Sequence, residues 1–142
     1  MMSGIRGRDT KPEIALRSGL HRLGFRFTLR SQLPGKPDVV LPKWRTVVFF
    51  HGCFWHGHEG CPLFRLPATR TEFWQDKISG NRLRDGRVAL QLQDAEWRVA
   101  TVRECAVRGP GRSDWPAVCE QLGFWIIGKE TLTLEISADD GV

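Results

Sequence analysis

The stretch VVFFHGCFWHGHEGC, residues 47–61, decides how the rest of this 142-residue chain is read. Val47, Val48, Phe49 and Phe50 form an apolar run too short for a helix and rich in strand formers, which predicts a buried strand. Directly after it stand His51, Cys53, His56, His58 and Cys61, with Phe54 and Trp55 among them. Such a density of metal-ligand side chains is hard to assign to packing. The spacing of Cys53, His58 and Cys61 lets one tight loop fold back on a single tetrahedral zinc ion, and a fourth ligand must come from elsewhere. Cys105 follows a strand-like run at residues 97–102 and can lie at the end of a neighbouring strand. Cys119, in a predicted helix, is the poorer candidate.

Working upstream, Asp38 heads the apolar run Val39-Val40-Leu41, and the turn Pro42-Lys43-Trp44-Arg45 leads into the strand at 46–50. Two short strands joined this tightly pair antiparallel, which predicts Asp38 and His51 as neighbours. An aspartate against a histidine cluster is a candidate for divalent-metal binding. Residues 25–29 alternate and read as a further strand. Before them, Thr10-Lys11-Pro12-Glu13 carries a capping box and opens a helix that Gly24 stops. Leu16, Leu20 and Leu23 form its apolar stripe, and Glu13 lies on that stripe, so its carboxylate points toward the sheet.

Downstream, residues 62–68 read as irregular, and Thr69-Arg70-Thr71-Glu72 forms a second capping box. It opens a helix carrying Phe73, Trp74 and Ile78 that Ser79-Gly80-Asn81 interrupts before the pattern resumes to Ala95. Residues 97–102 form a strand, 108–113 a loop and 115–127 a last helix. The tail at 128–142 is expected to fray despite its alternating Leu132, Leu134 and Ile136. There is no internal repeat.

Hydrophobic content of 41% and charged content of 26% are those of a globular protein, and one domain spanning residues 1–142 is expected. No apolar stretch reaches the length of a membrane span, and MMSGIRGRDT has no apolar signal core. A cytoplasmic location is expected, where cysteines are more readily metal ligands than disulfide partners. The net charge of +5 favours an anionic partner, nucleic acid first.

A helical Glu13, then Pro37-Asp38, then a strand and a ligand cluster resemble the restriction-endonuclease-like fold, an α/β fold with a mixed central sheet flanked by helices. The usual Glu-x-Lys of the second strand is absent, and Phe50-His51-Gly52-Cys53-Phe54-Trp55-His56 holds its place. With Gly7-Arg8-Asp9-Thr10, Leu33-Pro34-Gly35-Lys36-Pro37-Asp38, Pro67-Ala68-Thr69-Arg70-Thr71-Glu72-Phe73-Trp74 and Glu104-Cys105-Ala106, the chain resembles the very-short-patch repair endonucleases over residues 2–107.

The resemblance implies an enzyme that nicks DNA beside a T·G mismatch left by deamination of 5-methylcytosine. It implies that Asp38 and the Phe50 carbonyl hold Mg²⁺, that His56 activates water, and that His51 and Glu13 complete the surroundings of that metal. Cys53, His58, Cys61 and Cys105 would hold a structural zinc. Phe54, Trp55 and Trp74 would wedge into the duplex, with Met2 entering from the opposite groove. General mismatch-repair proteins and a companion DNA cytosine methyltransferase are implied partners, and the enzyme is expected to act as a monomer. Two other readings compete: a zinc-stabilised nucleic-acid-binding module without catalysis, and a hydrolase whose zinc is held by His51, His56 and His58.

Overall fold

The computed structural model describes residues 10–29 and 32–138. Helix α1 (Lys11–Arg22) starts where expected, with half of the capping box: Glu13 N–H donates to Thr10 Oγ1 at 3.4 Å and Pro12 occupies the first turn, but the Glu13 carboxylate makes no bond back to Thr10 N–H. Leu16, Leu20 and Glu13 are buried on one stripe, while Leu23, at the C-cap, is exposed. Residues 25–29 do not form a strand. Phe25 N–H bonds back to Leu20 O at 3.0 Å, so the chain is still leaving the helix, and among the described residues the run makes one isolated antiparallel rung, Thr28 with Val40.

Four strands form one sheet in the order β1 (Val39–Leu41), β2 (Thr46–His51), β3 (Arg98–Arg103), β4 (Thr133–Ile136). β1 and β2 are antiparallel with Val39 opposite Val48; β3 runs parallel to β2 and β4 parallel to β3. The sheet is therefore mixed, and helices cover both faces. Val39, Leu41, Val48, Ala100, Val102 and Ile136 point to the side of α1 and α3 (Trp115–Gly128), where Leu16, Leu20, Leu122 and Ile126 meet them. Val40, Val47, Phe49 and Val99 point the other way, onto Leu92 of α2 (Thr71–Asp94). This alternation is the period of two that a strand imposes.

Three further expectations are corrected. The tail does not fray over its described part. β4 pairs along β3, with Leu134 opposite Ala100 and Ile136 opposite Val102, and buries Ile136 against the core. Helix α2 is continuous through Ser79-Gly80-Asn81. Its inward stripe explains this: Trp74, Ile78, Asn81, Arg82, Asp85, Val88, Ala89 and Leu92 recur at three- and four-residue steps and are all at least partly buried, while Gly80 and Gly86 face solvent. Tertiary contacts along that stripe outweigh the roughly 1 kcal/mol that each glycine costs a helix. The second capping box does not form either. Arg70 is the N-cap in a left-handed conformation at φ 53°, and the Thr71 hydroxyl donates to Pro67 O at 2.7 Å. None of the helices among the described residues is long and apolar enough to cross a membrane.

Candidate active site

Two clusters of titratable side chains flank the loop that follows β2. In the first, ligand atoms of Cys53, His58, Cys61 and Cys105 all lie within 4.8 Å of one another. His58 Nδ1 is 3.5 Å from both Cys53 Sγ and Cys105 Sγ. Each sulfur also accepts a backbone N–H: Leu63 donates to Cys61 at 3.4 Å, Cys105 to Cys53 at 3.4 Å, and Ala138 to Cys105 at 3.3 Å. No disulfide forms among them. Burial pushes the Cys53 thiol up to about 12 and raises that of Cys105 as well. Three thiols converging on an imidazole, each already given a donor that stabilises negative sulfur, suit a soft divalent cation, which binds the thiolate forms. The residues therefore fit a metal. Cys105 brings the fourth side chain to the cluster, and Cys119 lies outside it, against Gly19.

The loop itself is wound tightly, with His56 N–H to Gly52 O at 3.1 Å and His58 N–H to Cys53 O at 3.0 Å. It is fastened to α2. Arg82 Nε donates to Gly57 O and Arg82 Nη1 to Glu59, both at 2.9 Å, and Asn81 Nδ2 donates to Trp55 O at 2.8 Å. Gly57 has φ 59°, and a Cβ there would collide with the Ile78 and Arg82 side chains. Gly57→Ala meets both penalties, left-handed strain and overpacking, and is expected to cost about 2–5 kcal/mol in a denaturant titration. An unchanged unfolding midpoint would mean that the loop does not sit against α2.

The second cluster lines a cavity of about 490 Å³ bordered by Glu13, Asp38, Phe50, His51, His56 and Asp85. The β1–β2 pairing places Asp38 at the cavity's edge. Its N–H donates to Val48 O at 3.0 Å, and its carboxylate accepts the Phe50 N–H at 2.7 Å. Burial pushes the Asp38 carboxyl up to about 6 despite that hydrogen bond, and the Glu13 carboxylate adds to the rise. Glu13 Oε1 is buried and has no hydrogen-bond partner among the described residues, with Arg17 Nη2 3.5 Å away as an ion pair. Two carboxylates facing one cavity, one of them poorly satisfied, fit a hard divalent cation with oxygen ligands.

His51 and His56 are stacked, with ring centroids 3.8 Å apart and planes 2° from parallel. Burial, then the neighbouring His56, lowers His51 to about 3, so it is neutral at physiological pH. Ligand atoms of His51, His56 and Asp85 lie within 4.8 Å of one another, a second group able to face a cation. His58 turns away to the cysteines, so the three histidines do not converge on one ion. His56 Nδ1 instead meets Asp85 Oδ2 at 2.6 Å. Burial would raise the Asp85 carboxyl, but the hydrogen bond from His56 and the charge beside it outweigh burial and the net shift is downward. With Asp85 accepting from Nδ1–H, Nε2 of His56 is left as the basic nitrogen.

Sequence reasoning missed Asp85. The signal was present: Asn81, Arg82 and Asp85 interrupt an otherwise apolar inward stripe, and polar residues there need partners. The assumed break at Ser79-Gly80-Asn81 hid the register.

Phe54, Trp55 and Trp74 form one aromatic cluster with centroids 5.2–5.8 Å apart. Trp55 is 50% exposed and Phe73, on Trp74, 45% exposed, so the cluster is open to solvent at the loop's tip. Met2 lies outside the described residues.

Carboxylates beside a histidine–aspartate pair, adjoining a braced aromatic loop, bring cation-binding and acid–base groups to one cavity. The family model for the DNA mismatch endonuclease Vsr matches residues 1–62. A type II nicking enzyme, V.XorIIP of Xanthomonas oryzae pv. oryzae, is 48% identical over 112 residues, covering 78% of this chain and 82% of its own. The Escherichia coli DNA mismatch endonuclease Vsr is 47% identical over 129 residues, 90% of this chain and 82% of its own, and V.NmeAIP of Neisseria meningitidis is 40% identical over 109 residues, 76% and 77%. The chain belongs to the very-short-patch repair endonuclease family.

Proposed function

We propose that this protein is a Mg²⁺-dependent endonuclease that cuts one strand of double-stranded DNA beside a T·G mismatch made by deamination of 5-methylcytosine, and so starts very short patch repair. The observation that carries this reading is the convergence of Asp38 and Glu13 with the His56–Asp85 pair on one cavity. Its relatives' names, a mismatch endonuclease and nicking enzymes, support it. On this reading the whole chain is one restriction-endonuclease-like nuclease domain, a monomer in the cytoplasm. It works alongside a cytosine methyltransferase that creates the substrate and with general mismatch-repair proteins.

Asp38 and the Phe50 carbonyl would hold Mg²⁺, which when bound stabilises negative charge on the phosphate and the leaving oxygen. Glu13 adds negative charge behind that site. His56 takes the proton of the attacking water at Nε2, and Asp85 fixes its tautomer and stabilises the imidazolium that forms. His51, neutral and stacked on His56, keeps water from one face of the ring. One cavity of this kind cuts one strand, which is what a nick requires. Cys53, His58, Cys61 and Cys105 would hold a structural zinc that keeps the loop rigid.

His56→Ala is expected to slow cleavage about 10²- to 10⁴-fold with DNA affinity retained, and Asp85→Asn to slow it less, because the ring remains but loses its charge partner. Equal losses of rate and affinity for His56→Ala would make it a DNA contact.

Mismatch choice needs another device, since phosphates alike in charge cannot be told apart by a metal. A wobble pair unstacks more easily than a Watson–Crick pair, so inserted side chains meet less resistance there. Phe54 and Trp55, held between Cys53 and His56, are placed to do this. The Phe54→Ala, Trp55→Ala double variant should keep its metal and fold while losing the preference for T·G over paired duplex; a preference that survives, or simple unfolding, contradicts the wedge.

A further inference from the structure

The C-terminal strand has no part in the roles proposed so far, yet two of its groups reach the Cys/His cluster. Glu135 Oε2 lies 3.7 Å from His58 Nε2 and accepts from Arg103 Nε at 3.3 Å. Two residues beyond β4, the Ala138 N–H donates to Cys105 Sγ at 3.3 Å. His58 turns its other nitrogen, Nδ1, to the sulfurs of Cys53 and Cys105. An imidazole that ligates through one nitrogen needs its proton on the other, and a carboxylate at that second nitrogen fixes the tautomer and raises the basicity of the first. Parallel pairing sets Glu135 opposite Thr101, two residues before Arg103, and the Arg103 guanidinium tethers the half-exposed carboxylate.

We propose that the β4 segment supports the metal centre from behind, with Glu135 orienting His58 to ligate through Nδ1 and the Ala138 N–H stabilising the Cys105 thiolate. Glu135 is thus a positioning residue, and residues 133–138 are part of the metal-binding unit. The inference rests on the reading that Cys53, His58, Cys61 and Cys105 bind a metal. Partners of this kind change metal affinity about 10- to 100-fold in other sites.

The test uses the full chain stripped of metal and titrated with Co²⁺, followed by the thiolate-to-cobalt absorption, then with Zn²⁺ against a chromophoric chelator. Wild-type protein should bind one equivalent and Cys53→Ser should lose the thiolate bands; if wild type shows no thiolate bands, the metal reading itself fails. Given wild-type binding, Glu135→Ala should weaken Zn²⁺ about 10- to 100-fold and shift the cobalt bands. Glu135→Gln, which keeps an oxygen beside Nε2 without the charge, should recover part of the affinity. Ala138→Pro, which removes the donor to Cys105, should weaken binding without touching Glu135. Wild-type affinity and spectra in both Glu135→Ala and Ala138→Pro would overturn the proposal while leaving the metal site intact.

Discussion

Asp38→Ala is expected to lower nicking by at least roughly 10⁴-fold while the protein stays folded, since losing several kcal/mol of metal-borne charge stabilisation has that effect on rate. The fold should survive because two changes offset each other. The Phe50 N–H loses its acceptor, at about 1 kcal/mol, but a buried carboxylate is removed. Asp38→Asn separates the two, since its side-chain oxygen can still accept from Phe50. Burial holds the Asp38 carboxyl at about 6, above its ordinary 3.8, so the folded state binds that proton more tightly than the unfolded one. The ionised carboxylate therefore destabilises the metal-free fold above about pH 6, by up to about 3 kcal/mol, and the penalty fades as the pH falls from about 6 to 4. Without Mg²⁺, Asp38→Asn should melt higher than wild type at pH 8 and alike near pH 4. Added Mg²⁺ should stabilise wild type alone. Identical melting of the two proteins at pH 8, with and without Mg²⁺, would remove Asp38 from the site.

The second large effect is loss of the Cys/His metal. Cys53, Cys61 and Cys105 come from the loop after β2 and the turn after β3, and their cluster joins Leu63 and Phe64 to Ala138. Binding energy at such a site is folding energy. Cys105→Ser should lose bound metal and at least about 3 kcal/mol, a fall in Tm of roughly 10 °C for a chain of this size. Nicking should fall with it, because Trp55 and His56 lie in the chain between ligands Cys53 and His58. Cys119→Ser should keep its full metal content. A Cys105→Ser protein that retains one equivalent of zinc would place the fourth ligand elsewhere.

Much of this was legible in the sequence where the signal was local. The capped start of α1, the antiparallel β1–β2 pair that sets Asp38 beside the end of β2, and Cys105 at the end of β3 all follow from short patterns. What escaped depended on distant partners. β4 is four residues long and shows only alternation, which becomes a strand once β3 offers an edge. The run at 25–29 has the same alternation but among the described residues forms one rung, Thr28 with Val40. Asp85 escaped because glycine at 80 reads as a helix break from local propensity, whereas the inward stripe of α2 is fixed by packing against the sheet and the loop.

Strand-specific, Mg²⁺-dependent mismatch nicking can be read in one assay. Protein purified without chelators is incubated with a library of duplexes bearing a central T·G pair in varied flanking sequence, each strand separately labelled, with and without Mg²⁺ and beside fully paired controls. The predicted result is a single nick in one strand next to the mismatch in a subset of sequences, only when Mg²⁺ is present. Cleavage of paired duplex at the same rate, cutting of both strands, or equal activity with the divalent cation removed would contradict it.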